Sequence, residues 1–165
     1  MKKYLILCVD DEREVLDSVT QDLASFEEFF VVEAAESVAE AQDVITEFAE
    51  EGIPLALILC DHIMPEQTGI SFLIELEKKV ATQHARKLLL TGQAGLEETV
   101  EAINHASLDF YIAKPWQGDD LVNVVTEQLT TYMIENEPEL MPWGRVLNTE
   151  RIFNAISDKR SQFGE

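Results

Sequence analysis

The apolar residues alternate between two spacings along most of the chain. Five short runs are apolar enough to be buried on both faces, which is typical of strands in a parallel sheet. These runs are Tyr4–Val9, Phe29–Glu33, Leu55–Cys60, Lys87–Leu90 and Phe110–Ala113. After each run, apolar residues recur every three or four positions, as on one face of a helix. The order predicts an α/β fold, doubly wound, with a parallel sheet and helices on both of its faces.

Charge divides the chain near residue 137. Residues 1–137 contain 28 acidic and 8 basic side chains, whereas residues 138–165 contain four of each. Pro138 and Pro142, which interrupt helices, lie at this change. We therefore expect one domain over 1–137 and a linker or helical extension over 138–165. Asn148 or Thr149 is a candidate cap for a short helix there. The pattern leaves open whether that helix packs on its own domain.

The net charge of −20 excludes two classes of partner. An acidic surface repels phosphate backbones and anionic membranes, so we expect neither nucleic-acid nor membrane binding. The longest apolar run, residues 53–60, is far shorter than the roughly 20 residues of a membrane span. Acidic residues from Asp10 onward also cut short the apolar start that follows Lys3, so no signal peptide is predicted. We expect a cytoplasmic protein, in which Cys8 and Cys60 are inert core thiols.

Polar residues that can take part in chemistry follow four of the five predicted strands. Asp10 and Asp11 follow the first, Asp61 the third, Thr91 the fourth and Lys114 the fifth. In open α/β sheets, ligands bind at the carboxyl ends of the strands, so these side chains are expected to share one crevice. Crowded carboxylates repel one another unless a cation or a lysine compensates them.

Four short motifs and a glycine resemble those of the receiver domain of two-component response regulators, over about residues 3–135. They are Val9-Asp10-Asp11-Glu12, Asp61-His62-Ile63-Met64-Pro65 with Gly69, Leu90-Thr91-Gly92 and Tyr111-Ile112-Ala113-Lys114-Pro115. The resemblance implies a flavodoxin-like strand order, 2-1-3-4-5. It also implies phosphoryl transfer to Asp61 from a phosphohistidine of a sensor histidine kinase or a phosphotransfer protein.

The same resemblance assigns roles to the other motif residues. Asp10, Asp11 and Asp61, with the backbone carbonyl of Ile63, match the ligands of Mg²⁺. Lys114 and Thr91 match the groups that contact the phosphoryl oxygens, and Thr91 with Tyr111 matches the conformational switch. Ile63 and Gln93 match the positions that flank the path of hydrolytic water, and the apolar Ile63 predicts slow hydrolysis. A cis Lys114–Pro115 peptide is also implied.

Several alternatives remain at this point. The chain is a stand-alone receiver or a receiver fragment of a longer multidomain regulator or enzyme. A phosphatase of the haloacid-dehalogenase type also uses aspartate, lysine and Mg²⁺, but it needs Asp-x-Asp where this chain has adjacent Asp10 and Asp11. A flavodoxin-type cofactor binder lacks support because no glycine-rich phosphate loop follows the first strand.

The expected partners, besides the phosphoryl donor, are a downstream protein and a second copy. The apolar fifth helix indicates that part of its surface is covered, either by the C-terminal tail, within the domain itself, or by a second copy in a homodimer through helix 4, strand 5 and helix 5 or through the C-terminal extension. His62, His84 and His105 have no metal-ligand spacing and are interpreted as surface or loop residues.

Overall fold

The computed structural model describes residues 3–92 and 95–162. Five strands form one parallel sheet in the order β2-β1-β3-β4-β5. They are Tyr4–Val9 (β1), Phe30–Ala35 (β2), Leu55–Cys60 (β3), Arg86–Thr91 (β4) and Phe110–Ala113 (β5). The predicted α/β class and strand order are confirmed.

Helices follow every strand. They are Arg13–Asp22 (α1), Val38–Glu50 (α2), Gly69–Lys78 (α3), Leu96–Glu101 (α4), Gly118–Asn136 (α5) and Thr149–Gln162 (α6). A π-helical turn, Ala102–Ala106, continues α4, and 3₁₀ turns span Ala24–Glu28 and Met141–Arg145. Hydroxyls cap two of the helices, since Ser37 accepts from the Glu40 amide and Thr68 from the Ser71 amide. Such caps satisfy amides that have no partner inside the helix.

Two strands differ from their predicted bounds. β2 was expected at Phe29–Glu33, but its pairing with β1 continues to Ala35, opposite Val9. Alanine has little intrinsic preference for strands, so the ladder to β1 decides this end of β2. β4 extends by one residue at each end, which makes Thr91 its last residue and places it opposite Ala113 of β5.

Alternating side chains of the strands form a core on each face of the sheet. Ile6 and Cys8 face the side covered by α1 and α5, whereas Leu5, Leu7 and Cys60 face the side covered by α2 and α3. The two cysteines are free and buried, as predicted. Burial raises the pKa of Cys8 to about 12, so this thiol stays protonated and unreactive.

The segment after residue 137 shares the core on the α1 and α5 side. Its residues Leu140, Trp143, Leu147 and Ile152 are buried there. The Trp143 ring lies 5.7 Å from the ring of Tyr4 in β1 and 5.2 Å from that of Phe30 in β2. Tyr4 also donates a hydrogen bond to the buried carboxylate of Glu137. The C-terminal segment therefore packs on the preceding domain, while the boundary at residue 137 stays a prediction.

Polar contacts hold α6 against α5. The Asn148 amide donates to the hydroxyl of Thr130 (3.1 Å), and its side chain donates to Glu127 (2.7 Å). Arg151 Nη1 lies 2.7 Å from the same carboxylate. Hydrogen bonds from Asn148 and Arg151 lower the pKa of Glu127. Asn148 also accepts from the Arg151 amide, which makes it the cap of α6.

No helix within the described residues is long and apolar enough to cross a membrane.

Candidate functional site

Two buried carboxylates mark one edge of the sheet. Asp10 directly follows β1 and Asp61 directly follows β3, and the strand ends Val9 and Cys60 are paired. Parallel pairing therefore brings both aspartates to the same edge, where only 3% of Asp10 and 6% of Asp61 is exposed. Asp11 follows Asp10 and is exposed. One oxygen of each of the three carboxylates lies within 4.8 Å of the others, so the predicted acidic cluster forms.

Backbone amides orient the two buried carboxylates. The amide of Glu12 donates to Asp10 Oδ1 at 2.8 Å, and the amide of His62 donates to Asp61 Oδ1 at 2.8 Å. Each carboxylate thus has one oxygen bound by the backbone. The other oxygen, Oδ2, faces the ammonium group of Lys114.

Lys114 links the two carboxylates across the site. Its Nζ lies 2.7 Å from Asp10 Oδ2 and 3.6 Å from Asp61 Oδ2. Burial raises the pKa of Asp10, and the hydrogen bonds from Lys114 and the Glu12 amide oppose this rise. For Lys114, burial favours the neutral amine, but the hydrogen bond to Asp10 and the charge of Asp61 raise its pKa. Lys114 is therefore held in its charged form between Asp10 and Asp61.

The cluster fits a divalent cation. With all side chains ionised, three carboxylates and one ammonium leave two negative charges, which a divalent ion neutralises. Mg²⁺ prefers oxygen ligands and is typically held by one or two carboxylates, water and phosphate oxygens. Asp10, Asp11 and Asp61 offer such a donor set on one side of the site, while Lys114 occupies another.

Thr91 and Tyr111 are joined by a hydrogen bond. Thr91 ends β4 and is buried, and Tyr111 lies in the neighbouring strand β5. The Tyr111 hydroxyl donates to the backbone carbonyl of Thr91 at 3.1 Å. The half-buried tyrosine ring is thereby attached to the strand end that carries the threonine hydroxyl.

Gly69 permits a close approach between α3 and the loop after β3. A Cβ at this position would lie 1.8 Å from the carbonyl oxygen of Asp61, so no larger residue fits without moving the backbone. The Gly69 amide donates to the His62 carbonyl at 2.8 Å. This contact fixes the loop that carries Asp61.

On the other side of the site, the Lys114–Pro115 peptide is cis, as the resemblance implied. The next residue, Trp116, donates its indole N–H to Asp22 at the end of α1 (2.8 Å). Sequence analysis did not identify this pair. Its only signal was that a partly buried indole N–H usually needs an acceptor, which does not say which acceptor it finds.

Three further expectations concern residues around the acidic cluster. Ile63 lies in the loop after Asp61 with about half of its surface exposed, and Gln93 lies outside the described residues. His62 lies in a loop, as expected, and it is buried there. Packing of the loop encloses its ring, and its Nδ1 has no hydrogen-bond partner among the described residues. His84 and His105 are exposed, as expected.

Comparisons with known proteins agree with this geometry. Residues 6–126 match the family described as response regulator receiver domain. The hydrogenase transcriptional regulatory protein HoxA of Bradyrhizobium diazoefficiens is 31% identical over 155 residues, which are 94% of this chain and 30% of that protein. The chemotaxis protein CheY of Halobacterium salinarum is 27% identical over 125 residues, 76% of this chain and 96% of that protein.

Among solved structures, a CheY-like receiver domain protein of Methanospirillum hungatei has a TM-score of 0.70 and 32% identity. The match covers 82% of this chain and 100% of that one. The chain spans less than a third of the length of two HoxA proteins that it matches.

Proposed function

Because the chain belongs to the family of response regulator receiver domains, we propose that it accepts a phosphoryl group on Asp61. The observation that supports this most directly is the pair of contacts from Lys114 to Asp10 and Asp61. In the proposed step, an Asp61 oxygen attacks phosphorus and the bond from phosphorus to a donor histidine nitrogen breaks. The donor is a sensor histidine kinase or a phosphotransfer protein.

The residues around Asp61 supply the positive charge and the hydrogen bonds that this transfer requires. Asp10, Asp11 and Asp61, with the carbonyl of Ile63, are the proposed ligands of Mg²⁺. When bound, Mg²⁺ neutralises charge on the phosphoryl oxygens. Lys114 offers its ammonium group to a second oxygen and Thr91 its hydroxyl to a third, so that charge spread over three oxygens is balanced.

Intact-mass analysis after incubation with acetyl phosphate and Mg²⁺ tests the assignment. We expect one added phosphoryl group in the wild-type protein and none in the Asp61→Asn variant, because an amide is not a nucleophile towards phosphorus. Asp43→Asn, at an exposed position on α2, is the matched control and should be labelled normally. Equal labelling of the Asp61→Asn variant and the wild-type protein would refute the proposal.

We further propose that phosphorylation switches the surface of α4, β5 and α5. The Thr91 hydroxyl moves to the new phosphoryl oxygen, and Tyr111, bound to the Thr91 carbonyl, turns inward into the vacated space. A ligand shifts such an equilibrium only if it binds one state better, and the threonine hydroxyl provides that difference.

Thr91→Ala separates labelling from switching. We expect this variant to accept the phosphoryl group but to lose the change in amide hydrogen exchange of α4 and β5 that accompanies labelling. Thr46→Ala, at an exposed position on α2, should keep both. A full exchange response in Thr91→Ala would show that the threonine does not couple the site to this surface.

Slow hydrolysis of the acyl phosphate is proposed from Ile63. An isoleucine cannot orient water, and half-exposed Ile63 lies in the loop two residues from Asp61. Ile63→Asn adds a polar side chain and keeps the backbone carbonyl. We expect about tenfold faster loss of the label, below the ~10²–10⁴-fold of full general acid–base assistance. Val80→Asn is the exposed apolar control. If the Ile63→Asn variant lost its phosphoryl group no faster than the wild-type protein, Ile63 would not limit hydrolysis. Attention would then turn to Gln93, whose role stays a prediction.

The lengths of the relatives support a second proposal, which is compatible with phosphorylation of Asp61. Because the HoxA proteins are more than three times as long as the matched region, we propose a longer regulator as the alternative to a stand-alone receiver. A downstream protein partner is part of either proposal, and the cytoplasmic location stays a prediction.

A further inference from the structure

The helix α5 has two flanks with different surroundings. Contacts from Asn148 and Arg151 to Glu127 and Thr130 cover one flank with α6. The other flank borders β5, which is the last strand of the sheet. The β5 side of α5 is therefore open to a partner while α6 stays in place.

A groove runs along this open flank. Its volume is about 490 Å³, and apolar side chains of β5 and α5 form much of its lining. They include Phe110, Ile112, Ala113 and Val124, with Trp116 close to the start of α5. Asp120 is the charged residue among the described lining residues.

Apolar residues are also exposed on the segment that leads into β5. Val100 of α4 is 45% exposed, Ile103 in the following turn 55% and Phe110 of β5 43%. We call these three residues and the groove the α4–β5 face. Grouped exposed apolar residues of this kind mark binding sites more often than inert surface.

The segment that carries this face is mostly acidic. Residues 95–136 contain eight acidic side chains and one basic side chain, Lys114, which is bound to Asp10 within the acidic site. Three of the acidic residues have basic partners, since Arg86 lies 2.9 Å from Asp109 and 4.0 Å from Glu135, and Arg151 lies 2.7 Å from Glu127 on the α6 flank. The other five are Glu97, Glu98, Glu101, Asp119 and Asp120. A symmetric second copy would bring the same five acidic residues against these, while its Arg86 and Arg151 are already paired with Asp109, Glu135 and Glu127.

We infer that the α4–β5 face binds a segment of another protein that combines apolar side chains with a net positive charge. This inference rests on the proposed function, in which the same surface responds to phosphorylation. It selects a basic protein partner over the second copy that the sequence alone left open. Apolar contacts fill the groove, and basic side chains pair with the acidic rim.

Calorimetric titration with three synthetic peptides tests the inference, with and without acetyl phosphate and Mg²⁺. The first peptide is an amphipathic helix with leucines on one face and lysines on the other. The second has glutamates in place of the lysines, and the third has serines in place of the leucines. We expect the first to bind, the second to show no binding, and the third to bind about tenfold more weakly, a loss of about 1.4 kcal/mol.

Variants locate the binding site. We expect Glu101→Lys and Ile103→Ser each to weaken the first peptide about fivefold, because they remove rim charge and apolar contact. Glu47→Lys on α2 and the highly exposed Val80→Ser are the matched controls and should change binding less than about twofold. Both test positions on the α4–β5 face are exposed, so the fold should tolerate these changes.

Three results would overturn the inference. The first and third peptides could bind equally, which would indicate mere attraction to an acidic protein. The control variants could match the test variants. Sedimentation could instead show a dimer that Ile103→Ser dissociates, which would make the second copy the occupant. Intact-mass labelling of the same samples separates these failures from a failure of phosphorylation at Asp61.

Discussion

Replacing Lys114 with methionine is expected to slow phosphorylation by acetyl phosphate about 10²- to 10³-fold, the effect typical of removing one preorganised electrostatic group. Methionine keeps much of the length and apolar volume of lysine but has no charge. The Asp10 and Asp61 oxygens that now lie 2.7 and 3.6 Å from Nζ would then face an incoming anion without a fixed cation between them. The time course of the intact mass at fixed Mg²⁺ measures the rate.

Two further variants serve as controls for the rate of Lys114→Met. Lys79→Met removes an exposed lysine after α3, so it changes the net charge equally and should leave the rate unchanged. Lys114→Arg restores the charge in a different shape and should recover part of the loss. If Lys114→Met were phosphorylated as fast as Lys79→Met, the ammonium group would have no part in transfer.

Truncating Trp143 to alanine is expected to lower the free energy of unfolding by about 3–5 kcal/mol, the usual cost of removing a large aromatic side chain from a core. The indole is fully buried against Tyr4 and Phe30, which belong to the first two strands. The change would leave a cavity between the sheet and the C-terminal segment. Urea unfolding, followed by circular dichroism, measures the loss.

Met141→Ala provides the control for this experiment. Met141 lies in the same 3₁₀ turn but is exposed, so its truncation should stay within about 0.5 kcal/mol of the unmodified protein. A cost near that value for Trp143→Ala would mean that the C-terminal segment contributes little to the stability of the domain.

The strand ends of the candidate site could be predicted because parallel strands share one direction. Asp10, Asp61 and Lys114 each follow a short apolar run, and parallel pairing brings the ends of such runs to one edge. Sequence could not predict that Lys114 lies closer to Asp10 than to Asp61, since this depends on side-chain packing. The last residues of β2 also depend on a tertiary ladder and not on local preference.

The C-terminal segment was the least predictable part of the fold. Pro138, Pro142 and Gly144 are typical of linkers, and nothing local shows that Trp143 between them fills a cavity beside Tyr4. In the turn after α4, Ala102 and Ala106 pack inward while Ile103 is exposed. Hydrophobic spacing alone favours the larger residue for the core, but the two alanines are the residues that pack there.

The chain contains two tryptophans, and their surroundings make them separate spectroscopic reporters. Trp116 is partly buried beside Lys114–Pro115 and bonded to Asp22, whereas Trp143 lies in the core between the sheet and the C-terminal segment. Changes near the acidic site should alter the emission of Trp116, and loss of the core should shift that of Trp143 to longer wavelength. A Trp143→Phe variant keeps an aromatic ring in the core and leaves Trp116 as the one tryptophan, so that Mg²⁺ titrations can be followed by its emission without a label.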